Sequence, residues 1–367
     1  MQTHREHPDS KPPRWVFMSL IPALLFAMEG ATTAQPKPVA PAVSTTAAPK
    51  AYVALHDNSA LAIFDTGTNR VLRTIPVPLG PQGLAVTPDG HKVYVSSDET
   101  SIVSVIDTAA DRVVTQIDVG AASRGLAISP DGRMVLVSVW GADEVAIIDT
   151  ATDRITGRVS VLRPDRIAIS PDGGIAYVGS TSLGDPALAI LDLTGPAKID
   201  RVPLSHVPGA LAFSVDGRRL YFTVDGMDTL QVLDRGRNKV VRTVAAGAAP
   251  HGLVSVAGRY GELVTSASRN ELEILDASLA IVRGTVTVGR LPHGIATSAN
   301  ERTAYVTNNG SNDISVVDLA DRRVTATISL GDAGYSPGEI VLQPATIREP
   351  SQIAPDQFVN EHETDRN

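Results

Sequence analysis

No cysteine occurs among the 367 residues, which excludes disulfides, a thiol nucleophile, covalent c-type haem and a lipidated cysteine. Aromatic side chains are scarce at 4%, so any core must be built from Val, Ile, Leu and Ala, within an apolar share of 43%. Also missing are a Gly-rich phosphate loop, a Gly-x-Ser-x-Gly elbow and a His-Glu-x-x-His pair, the local signatures of common catalytic sites. Positive charge is in deficit. The formal net charge is −8, and the first 34 residues hold three bases and three acids, so the remainder keeps that balance. It opposes broad binding to nucleic acid or anionic lipid.

The one marked apolar run is Trp15–Met28, preceded by Lys11 and Arg14 and followed by small residues up to Ala34. This pattern predicts a cleavable secretory signal over residues 1–34, with a retained anchor as the alternative. No Arg-Arg pair precedes the run, so a twin-arginine route is unsupported. A mature chain without a transmembrane segment follows, placed in a bacterial periplasm or outside the cell. Residues 35–50 are rich in Pro, Ala and Thr and read as a linker, and residues 346–367 form a polar tail.

Between them, one sentence is written seven times. Short apolar runs end in Asp65, Asp107, Asp149, Asp192, Asp234, Asp276 and Asp318, at steps of 42 residues with one of 43. The second copy reads Gly83-Leu-Ala-Val, Val93-Tyr-Val-Ser, Ile102-Val-Ser-Val-Ile-Asp and Val113-Val-Thr-Gln-Ile, four short strands a to d separated by turn residues. The a–b turn is Pro-Asp-Gly at 88–90, 130–132 and 171–173. The c–d turn pairs the aspartate with a base five residues on in five copies, from Asp65/Arg70 to Asp318/Arg323, which reads as an Asx turn closed by a surface charge pair.

A period of this length with four strands predicts an all-β chain, a seven-bladed β-propeller of four-stranded blades over residues 51–345. The chain enters at Ala51–Ala54 as a strand b and leaves at Gly338–Gln343 as a strand a. The C-terminal strand must therefore join the N-terminal blade and close the ring.

The strings Tyr94-Val-Ser, Tyr177-Val-Gly, Tyr221-Phe-Thr and Ala304-Tyr-Val-Thr-Asn308, with Ser-Pro-Asp-Gly and Val-Ile-Asp-Thr, resemble the YVTN-type β-propeller repeat family of bacteria and archaea. The resemblance implies the same fold. Its function stays open, because that family includes binding proteins, surface proteins and relatives of redox enzymes.

Up-and-down strands place the d–a and b–c loops on one face and the repetitive turns on the other. Distinct side chains converge only on the first, where a rigid frame would carry a site. Its rim holds Gln82, Arg124, Arg166, His251 and His293 just before the a strands, and Trp140, Arg269, Asn308 and Asn309 in the b–c loops; these are the expected ligand contacts. Arg124, Arg166, Arg269 and Arg290 would seat an anion. His251 and His293, both in Pro-His-Gly, stand at equivalent places in adjacent blades and are read as tolerated loop residues rather than metal ligands. No catalytic residue, metal site or cofactor is assigned.

The sequence thus points to a monomeric, exported, non-enzymatic propeller binding a small ligand or protein partner at its channel mouth. The alternatives are a propeller enzyme, lactonase-like or redox-associated, and a single-strand nucleic-acid binder, which the charge and the lack of interleaved aromatics oppose.

Overall fold

In the computed structural model the described residues are 48–195, 199–257, 260–276, 281–331 and 336–344, the side chain of residue 199 excepted. The expected signal, nearly all of the linker, and the tail lie outside them. Among the described residues no helix is long and apolar enough to cross a membrane.

The strands form seven four-stranded antiparallel sheets, the blades of a β-propeller. Blade 2 is representative, running from the channel outward as Pro81–Val86, Lys92–Ser97, Ile102–Asp107 and Arg112–Asp118. Blade 1 is assembled from both ends of the propeller: Pro337–Leu342 is its inner strand, beside Lys50–Leu55, Ala60–Asp65 and Arg70–Pro76. The register Ala51↔Leu342, Tyr52↔Val341 and Val53↔Ile340 closes the ring and leaves no inner blade edge open. The expected closure therefore stands, with Lys50 already inside the first strand.

Period-two alternation explains how so few aromatics suffice. In Lys50–Leu55, Tyr52 and Ala54 pack toward blade 2, while Ala51, Val53 and Leu55 pack toward blade 7. Each blade is apolar on both faces. Seven clusters result, one between every neighbouring pair of blades, and the seam between blades 7 and 1 is filled by Ile340, Phe64 and Tyr305, whose two rings lie 5.5 Å apart.

The two turn families have definite chemistry. At the a–b turn the Thr87 hydroxyl donates to Asp89 at 2.5 Å and accepts from the Lys92 N–H at 3.0 Å, and Gly90 sits at φ +74°. At the c–d turn Asp107 Oδ1 accepts from the Ala109 and Ala110 N–H groups, both at 2.8 Å, which is the expected Asx turn. The expected charge pairs do not form among the described residues. Arg112 and its equivalents are instead cross-strand partners of the aspartates, as in Asp107↔Arg112, where the arginine is exposed, while Arg323 pairs with Asp321 at 3.5 Å.

The turn aspartates with positive φ have a further task. Asp111, at φ +49°, and Asp153, at φ +53°, reach the preceding blade, where they accept from Tyr52 (3.4 Å) and Tyr94 (2.6 Å) and bind Lys50 (2.7 Å) and Lys92 (2.8 Å). Tyr177 and Asn238 repeat the contact between blades 4 and 5 at 2.5 Å. These stitches tie blade 1 to 2, 2 to 3 and 4 to 5 through a buried tyrosine, whereas blades 3 and 6 carry Leu136 and Leu263 at that position.

Candidate functional site

The central channel is shaped by a Pro-x-Gly segment opening the inner strands. In blade 2 the pairing Pro81↔Ser97 shifts before Leu84↔Val95, so Gln82 and Gly83 sit at a bulge on the strand itself rather than in the loop before it. The glycine is dictated by approach: a Cβ on Gly83 would lie 2.3 Å from the Arg124 carbonyl oxygen, and one on Gly252 would lie 2.2 Å from that of His293. A buried hydroxyl on the next strand bridges the gap. Thr265 accepts from the Gly252 N–H at 2.7 Å and donates to the His293 carbonyl at 2.9 Å; Thr307 does the same for Gly294 at 2.8 Å and Gly338 at 2.7 Å. The inner strands are thereby fixed, and the residue between Pro and Gly is presented to the channel.

At its mouth lies a chamber of about 200 Å³ lined by Gln82, Asp165, Arg166, Thr223, Asp225, His251 and His293. Below it a second space of about 130 Å³ is walled by glycines and apolar residues, with Arg166 shared between the two and Glu339 lining the lower one. Arg166 donates to Glu339 Oε1 at 2.6 Å, joining blade 4 to the closing strand across the channel. Burial is the largest influence and would raise the Glu339 carboxyl, but Arg166 and the two imidazoles together hold the group below its ordinary range.

The two imidazoles meet ring to ring, with centroids 3.9 Å apart and planes inclined by 36°. Burial lowers both, followed for His251 by the charge of Arg166 and for His293 by the neighbouring His251; His293 is pushed down to about 3. His293 is thus neutral at ordinary pH. His293 Nδ1 is buried with no hydrogen-bond partner among the described residues.

Of the expected contacts, Gln82, Arg166, His251 and His293 come together in this chamber. Arg124 and Trp140 form a separate feature, in which Arg124 at 4.4 Å and Arg163 at 4.3 Å both lie over the indole, which donates to Thr181 at 3.2 Å. Arg124 also faces Asp165 at 3.8 Å. Arg269 lies over the buried Glu273 at 3.7 Å. Asn308 is fully buried and donates to Asp313 and Ser315, while Asn309 closes its loop through its backbone on Leu291.

Sequence reasoning left Asp165, Asp225, Glu339 and Thr223 out of the expected contacts. Asp165 was legible as the middle residue of Pro164-Asp-Arg, but Glu339 follows the glycine of its own segment, and only the ring closure turns it toward Arg166.

The family model for the cytochrome D1 heme domain matches residues 50–165, which takes in the three N-terminal strands of blade 1 and all of blades 2 and 3. Among curated proteins none matches the chain. Solved structures share the fold. Kuenenia stuttgartiensis hydrazine synthase aligns with a TM-score of 0.67 and 19% identity over 73% of this chain and 91% of that one. Dihydro-heme d1 dehydrogenase NirN, in complex with DHE, aligns with a TM-score of 0.62 and 17% identity over 78% of this chain and 64% of NirN. Apo AztD from Citrobacter koseri aligns with a TM-score of 0.63 and 15% identity over 82% of this chain and all of that one. Identities this low establish the propeller architecture and nothing about ligands.

Proposed function

We propose that this chain is an exported, non-enzymatic propeller of the YVTN type that seats a small, donor-rich polar ligand in the channel mouth. The observation that carries this reading is the chamber wall itself, with His293 Nδ1 buried and unpartnered. A ligand hydrogen bond there would relieve a buried polar atom. Of three carboxylates, Glu339 is matched by Arg166 and Asp165 faces Arg124, which leaves Asp225 without an ion pair among the described residues. The surplus is negative, so an amine suits the chamber better than the anion that Arg124 and Arg166 suggest from sequence. Thermal-shift measurements with small primary amines and with small organic acids test this. Amines should raise the midpoint in wild type and not in Asp225→Asn; stabilisation by the acids alone would overturn the reading.

A tetrapyrrole is the second reading, favoured by the family match and by the ligand of NirN. The residues do not fit it. The chamber of about 200 Å³ is smaller than the roughly 300–1,000 Å³ of ordinary ligand pockets, and its two histidines occupy each other's faces. The matched segment also ends before both of them. Titration with haemin should leave the Soret band of the free pigment unchanged.

A further inference from the structure

Away from the chamber, the b–c loops of blades 1 and 2 bring a histidine against two carboxylates. His56 and Asp98 follow the second strands of their blades at equivalent places, 42 residues apart, and Glu99 comes next in the chain. We propose that His56, Asp98 and Glu99 bind a divalent first-row transition-metal ion.

One ligand atom from each of the three residues falls within 4.8 Å of the others. His56 Nε2 stands 3.1 Å from Asp98 Oδ1. Ligand atoms around a tetrahedral ion with bonds of about 2.0–2.1 Å are separated by roughly 3.3 Å, so this edge of the polyhedron is already near its length. The other ring nitrogen, Nδ1, lies 3.2 Å from Asp57 Oδ1, and the second oxygen of Asp57 accepts from the Ser336 hydroxyl. A carboxylate behind the imidazole, itself held by a donor, is the arrangement that orients metal-bound histidines and leaves the far nitrogen free to coordinate.

Charge supports the same occupant. A neutral imidazole has one N–H, yet both of its nitrogens face carboxylate oxygens, so one contact needs a proton or a cation between acceptors. No lysine or arginine forms an ion pair with Asp57, Asp98 or Glu99 among the described residues, so three carboxylates face a single imidazole. Space is reserved as well. Gly80, at φ +66°, accepts the Asp98 N–H at 2.9 Å, and a Cβ there would lie 2.3 Å from Asp98 Oδ1 and 3.0 Å from Glu99 Cγ. The group is reachable on the loop face, with the His56 side chain 36% exposed. One nitrogen and two carboxylate oxygens suit Zn²⁺ and its neighbours, whereas Ca²⁺ demands six to eight oxygens.

The test is calorimetric titration of Zn²⁺ into the full chain after dialysis against chelator. Wild type should take one ion. His56→Ala should lose more than about 100-fold in affinity, and Asp57→Asn about 10–100-fold through the orientation of the ring. Glu99→Gln, a surface change that leaves folding intact, should also weaken binding at least tenfold. The double variant His251→Ala/His293→Ala should bind as wild type does, separating this site from the chamber. No Zn²⁺ uptake by wild type, equal affinity in His56→Ala, or Ca²⁺ binding as tight as Zn²⁺ would overturn the proposal.

Discussion

The histidine pair shows how much a repeat position depends on its surroundings. His293 titrates near 3 because its charged form would lose solvation, and the His251 ring beside it adds to the penalty. In the unfolded chain the same side chain takes up its proton near 6.5. The unfolded state therefore binds the proton first, so this contribution to stability is complete above about 6.5 and is lost as pH falls toward 3. The melting temperature of wild type should decline over that window, and His293→Phe should decline less steeply; parallel curves would show that the ring is not held neutral. The stitches make a second residue-scale claim. Tyr94 is fully buried and its hydroxyl donates to Asp153, so Tyr94→Phe should destabilise by about 1.5–3 kcal/mol, the range for a hydrogen bond to a charged group, as read by chemical denaturation.

Among the elements, the closing strand carries the most consequence. Pro337–Leu342 supplies the inner edge of blade 1, places Ile340 in the seam against blade 7, and delivers Glu339 to Arg166. A chain ending at Ser336 would open the edge of Lys50–Leu55 and lose all three at once. We expect it to melt at least 10 °C lower and to aggregate, while a chain ending at Pro344 should melt as the full chain does; equal melting of the two would mean that the seam is held by other contacts. Ser96, Thr265 and Thr307 belong to the same scale. Their position in the second strand, the Thr of Tyr-Val-Thr-Asn in blade 7, is explained by the hydroxyl bridge between neighbouring inner strands.

For the whole molecule, the two faces separate repetition from difference. The turn face repeats Ser/Thr-x-Asp-Gly and Asx geometry in blade after blade, as at Ser129–Gly132 and Ser170–Gly173, and such sameness discriminates poorly between partners. The loop face holds the polar chamber, the two arginines over Trp140 and the His56 group, each built from different residues in the same positions. Substitutions in the turns should therefore register in melting, and substitutions in the chamber in ligand binding, in line with the amine test above.

Blade number, strand order, ring closure and the Asx and Pro-Asp-Gly turns were legible in the sequence, though not the failure of the c–d charge pairs, because they follow from repeated local patterns: period-two burial, Pro-Asp-Gly in three copies and an aspartate every 42 or 43 residues. The first residues of the chamber were legible for the same reason, since Gln82, His251 and His293 share one slot in the repeat, and Arg166 stands one residue on, where those blades carry glycine. What the repeat cannot encode is which slots meet across the ring. Glu339 reaches Arg166 over 173 residues, Asp111 leaves its own turn to hold Tyr52 one blade away, and Asn308 turns inward to Asp313 and Ser315 instead of facing a ligand. Those pairings arise only when the ring closes and neighbouring blades press their faces together, because a side chain's partner is then set by distance through space and no longer by spacing along the chain.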